Sequence, residues 1–63
     1  MRVKFDKEKL LAAGYVILAE KDNSVAIGKR DTHLHIILPI KDGYMDLVPE
    51  RSTVHKMFVS ILG

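Results

Sequence analysis

The chain is expected to fold as a small α+β domain: an antiparallel three- to four-stranded meander with a short N-terminal helix and a C-terminal amphipathic helix packed on one face. Three observations lead there. Within Thr-His-Leu-His-Ile-Ile-Leu-Pro-Ile at 32–40, Leu34, Ile36, Leu38 and Ile40 fall on one side, and His33, His35, Ile37 and Pro39 on the other. That period of two marks a strand with one buried face. Asp42-Gly43 follows at once, and both residues tolerate the positive φ of a type I′ hairpin turn. Val54, Met57, Phe58, Ile61 and Leu62 then recur at i, i+3, i+4, i+7 and i+8, a helical stripe wide enough to cover a sheet.

Each element can be justified in order. Met1–Phe5 reads as a short extended segment with Val3 and Phe5 on one side. Asp6 suits a helix N-cap, accepting from the amide of Glu8 or Lys9. Phe5 and Leu10 have the spacing of a hydrophobic staple. Gly14 stands where a helix over Lys7–Ala13 needs a left-handed C′ residue. Barely two turns do not hold in water alone, so this helix must dock, through Leu10, Leu11 and Ala13.

Tyr15–Glu20 reads as the first strand of the meander, with Tyr15, Ile17 and Ala19 opposite Val16 and Leu18. Lys21-Asp22-Asn23-Ser24 is a polar turn in which Asn23 tolerates left-handed geometry. Val25–Gly28 forms a second strand, Lys29-Arg30-Asp31 a turn, 32–40 the third strand and Tyr44–Val48 the fourth. Counting back from the hairpin pairs Lys41 with Tyr44, Ile40 with Met45 and Pro39 with Asp46. If Lys41–Tyr44 is a hydrogen-bonded pair, Pro39–Asp46 should be one too. Proline has no amide hydrogen, so the ladder should break there and leave the fourth strand short. Pro49 ends the sheet, and Ser52 or Thr53 caps a final helix running to about Leu62.

Sixty-three residues make one domain, which buries only about 60% of the surface its unfolded chain exposes. Disulfides and thiolate metal sites are excluded by the lack of cysteine. The 48% apolar content argues against disorder. No apolar run approaches the ~20 residues of a membrane span. The chain is read as soluble and cytoplasmic, with no membrane role.

Candidate chemistry is sparse. The serines and histidines form no nucleophile–base motif, and Gly14, Gly28, Gly43 and Gly63 are scattered at element ends rather than gathered in a phosphate loop. No catalytic residue, metal ligand set or cofactor site is assigned. His33 and His35, at i and i+2, share a strand face, a spacing metal sites use. A third ligand would have to come from His55 or a carboxylate such as Asp46, and no partner to hold each imidazole is evident. Ile17, His33, His35, Ile37 and Val48 are assigned to the sheet face away from the helices, as an interaction face for a second copy or a protein partner. Isolated exposed aliphatics are common and by themselves require no partner. A contiguous patch on so short a chain does suggest one, and sheet edges could also join two copies. Arg2, Lys4, Lys7 and Lys9 cluster near the N-terminus and could track phosphates. The net charge of only +2 is modest for that role.

The layout resembles the HicA-type mRNA interferase toxins, which adopt a double-stranded-RNA-binding-like fold. The pieces that carry the resemblance are Leu-Leu-Ala-Ala-Gly-Tyr-Val at 10–16, Ile-Ile-Leu-Pro at 36–39 and Ser-Thr-Val-His-Lys-Met-Phe-Val-Ser-Ile-Leu at 52–62. The family's Gly-Ser-His turn corresponds here to Asp22-Asn23-Ser24, without histidine, so the resemblance implies the fold and an RNA partner but no catalytic residue. The expected function is a small non-enzymatic binding or regulatory protein that self-associates as a dimer. The alternative is a nucleic-acid-binding regulator or a diverged HicA-like RNA-binding toxin.

Overall fold

The computed structural model describes residues 1–63. Seven elements follow in order: β1 (Arg2–Lys4), α1 (Lys7–Ala12), β2 (Tyr15–Glu20), β3 (Ser24–Lys29), β4 (His35–Lys41), β5 (Tyr44–Asp46) and α2 (Thr53–Leu62). The five strands form one sheet in the order β1-β5-β4-β3-β2, every pair antiparallel. The two helices touch each other, α1 beside β2 and α2 beside β1. The α+β meander is as expected, with one addition. The N-terminal extended segment joins the sheet as a fifth strand, Val3 opposite Met45 and Lys4 opposite Tyr44.

Local chemistry sets the element ends. Asp6 is extended and its carboxylate accepts from the Lys9 amide at 3.3 Å, capping α1. Gly14 follows at φ 95°. Only Leu10 of α1 is buried, while Leu11 and Ala13 face solvent. A helix of six residues has one inward position per turn, so it docks through Leu10, not through three residues as expected. At the other end of the chain, the Ser52 hydroxyl accepts from Val54 N–H at 3.2 Å and begins α2. Its inward stripe is rotated from the expected one. Phe58 and Leu62 are buried, Val54, Val59 and Ile61 pack against them, and Met57 lies at the exposed rim.

Asp42 and Gly43 take φ values of 55° and 81°, the two positive angles of a type I′ turn. Register from this turn pairs Ile40 with Met45 and Lys41 with Tyr44, and there it stops. Ile40 N–H points the other way, to Asn23 O at 3.1 Å. Pro39 therefore faces β5, where the ladder asks for a donor it lacks. β5 ends at Asp46 rather than Val48. From Leu47 the chain is held by the residue preceding β1 instead, with Leu47 N–H donating to Met1 O at 2.7 Å.

Two other expectations change. The third meander strand begins at His35, not Thr32. The Thr32 hydroxyl donates to Lys29 O at 2.9 Å and accepts from Leu34 N–H at 3.2 Å, which fixes residues 30–34 as a loop. Outside the Asp42-Gly43 turn, the left-handed non-glycine residue is Asp31 at φ 64°, and Asn23 is not left-handed. β2 also carries a bulge: Ile17 pairs with Ile27, but the next pair is Ala19 with Ala26. Leu18 is the extra residue.

The core comprises Val3, Leu10, Tyr15, Val25, Ile27, Leu38, Met45, Leu47, Phe58 and Leu62. Leu34, Ile36 and Ile40 pack against it, so the inward side of the 32–40 stretch is the one its alternation predicts.

Candidate functional site: the uncovered face of the sheet

Cross-strand partners share a face, so the register sorts every strand residue. On the helix-covered side run the rows Ile17–Ile27–Ile36, Val25–Leu38 and Val3–Met45–Ile40. The opposite side carries Val16–Gly28–His35, Ala19–Ala26–Ile37, Ser24–Pro39, Lys4–Tyr44–Lys41 and Arg2–Asp46. No helix packs on this second face.

That sorting divides the expected interaction face. His35 and Ile37 lie on the uncovered side as anticipated. Ile17 does not: it pairs with fully buried Ile27 and packs against the core. Tyr15, placed with it on the outside, is also buried. Tyr15 and Ile17 keep a common side, but it is the inner one, because the Tyr15 ring packs against Phe58. Ala19, expected with them, leaves that side at the bulge. His33 sits in the loop before β4 and makes no i, i+2 strand pair with His35. Val48 lies past the end of β5, its N–H donating to His55 Nδ1 at 2.9 Å. No group of three or more histidines, aspartates or glutamates stands close enough to hold a metal ion.

The bulge supplies what the sequence pattern did not show. By adding one residue, it turns Ala19 outward, so that Val16 and Ala19, and with them Leu18, all lie over this face. A Cβ at Gly28 would lie 3.1 Å from Leu18 Cδ1 and 3.4 Å from Val16 Cγ2. These two side chains thus cover the glycine, which is buried for lack of its own. Leu18 is 53% exposed and Ile37 66%. Beside Ile37 a shallow cleft of about 230 Å³ is lined by Ala19, Lys21, Ser24, Ala26, His35 and Ile37. Nothing in the bare alternation of 15–20 announces a bulge.

The basic cluster is also divided. Arg2 and Lys4 are on the uncovered face, in the same rows as Tyr44, Lys41 and Asp46. Lys7 instead reaches Glu20 at 2.9 Å, and Lys9 stays on α1. Tyr44 and Lys41 were legible as a hairpin pair. Their juxtaposition with Lys4 was not, because it depends on β1 meeting β5 from the far end of the chain.

No family model, curated protein or solved structure matches the chain. No helix is long and apolar enough to cross a membrane.

Proposed function

We propose that the protein is a small non-enzymatic binding module that associates reversibly with a second copy of itself through the apolar half of its uncovered sheet face. The observation that carries this reading is the contiguity of Val16, Leu18, Ala19, Ala26 and Ile37 on one face, with Leu18 and Ile37 more than half exposed. Apolar surface of this kind gains about 25 cal/mol per Å² when a partner removes it from water. Sheet edges are poorer joints. β1 has only three residues, and β2 is kinked by its bulge, a feature that discourages strand addition.

The molecule measures 28 by 25 Å across its two longer axes. A standard stable interface takes ~800 Å² per partner, close to a fifth of this chain's 4421 Å² surface, and the apolar patch is only half of one sheet face. Association should therefore be concentration-dependent rather than permanent. Light scattering across micromolar to millimolar protein tests it: the mass should rise from 7.1 kDa toward twice that value. Ile37→Lys and Leu18→Lys should hold the protein monomeric without altering its circular dichroism. A folded wild-type monomer across the whole range would remove the proposal.

A further inference from the structure

The other half of the uncovered face has different chemistry. Tyr44 is 43% exposed and stands mid-row, with Lys4 on one neighbouring strand and Lys41 on the other. Adjacent strands lie about 4.8 Å apart, so a lysine stem flanks the ring on each side. The Arg2 guanidinium carbon is 5.1 Å from the ring centroid. Beside this row, where Pro39 ends the ladder, lies a cleft of about 390 Å³ lined by Arg2, Pro39, Ile40, Lys41, Tyr44 and Asp46. Asp46 is the one carboxylate there, and it lies 3.4 Å from the Met1 nitrogen. The chain's ion pairs, Met1–Asp46 and Lys7–Glu20, engage none of the three cations.

We infer that this end of the sheet binds single-stranded nucleic acid: a base stacks on Tyr44, and Arg2, Lys4 and Lys41 neutralise the adjoining phosphates. An exposed aromatic bracketed by free cations complements an alternation of planar bases and anionic linkages. A simple polyanion would use the cations and leave the ring idle. A duplex keeps its base faces stacked internally, out of the ring's reach. Arg2 rests on the ring through an exposed cation–π contact, which is weak enough to yield to a base. The inference does not depend on self-association, since neither Leu18 nor Ile37 lines this cleft.

Fluorescence anisotropy with a labelled short oligothymidylate is the test. Single-strand binding loses about 0.7 in the slope of log K against log salt per phosphate neutralised, so three contacts give a slope near −2. Lys4→Gln and Lys41→Gln should each reduce its magnitude by about 0.7. Tyr44→Ala should weaken binding about tenfold with the slope unchanged, and Tyr44→Phe should bind as the wild type does. Arg30→Gln, in the loop at the opposite end of the sheet, should change neither quantity. Four results would each overturn the inference: no binding at low salt by folded protein, full affinity in Tyr44→Ala, equal losses from Arg30→Gln and Lys41→Gln, or a duplex that competes as well as the single strand.

Discussion

Tyr15 and Phe58 meet edge to face, their ring centroids 5.0 Å apart and their planes at 78°. The contact ties β2 to α2, and both rings are buried. Such pairs add roughly 0.5–1.5 kcal/mol beyond the area they bury. Only 11 of the 63 residues are buried, so this one contact is a large share of the core. Phe58→Ala should cost about 3–5 kcal/mol, enough to unfold so small a domain. The Tyr15 hydroxyl reaches only the Met57 sulfur, at 4.0 Å, so Tyr15→Phe should cost under about 1 kcal/mol. Urea denaturation of the two variants separates ring from hydroxyl.

His55 holds the segment after β5 by accepting the Val48 N–H at Nδ1. An imidazole can accept there only while that nitrogen carries no proton. His55→Ala should lose about 1 kcal/mol and raise amide exchange at Val48. His55→Asn, whose side-chain oxygen occupies a similar position, should restore part of the protection. Equal exchange at Val48 in all three proteins would show that the bond holds nothing.

Gly28 lies beneath Leu18 and Val16, and its ideal Cβ would also come within 3.1 Å of Leu34 O. Leu18 can swing away; a backbone carbonyl in the connection to β4 yields less readily. Gly28→Val should destabilise by about 1–3 kcal/mol, as read from the shift in thermal midpoint. If the midpoint is unchanged, the carbonyl moves freely and the glycine is dispensable.

Pro39→Val supplies the donor that the β4–β5 ladder lacks. The new amide at position 39 should pair with Asp46 O and lengthen the ladder by one pair beyond Ile40–Met45. Hydrogen exchange then shows a protected amide at 39. Rapid exchange there would mean that something other than the missing hydrogen ends the strand.

What the sequence determined by itself is local. The alternation at 34–40, the two positive φ angles at Asp42-Gly43, the cap at Asp6, a cap at Ser52 or Thr53, and the short fifth strand set by Pro39 each depend on residues near in the chain. Their energetics are those of single turns and neighbouring pairs. The tertiary structure decided the rest. Whether Tyr15 and Ile17 point in or out depends on which face α2 covers, and period-two patterning specifies parity without sense. The union of β1 with β5 joins residues forty or more positions apart, and it alone places Arg2 and Lys4 around Tyr44. The bulge at Leu18 exists only in relation to the strand opposite. Such features arise from packing between distant segments, whose free energy no local stretch encodes.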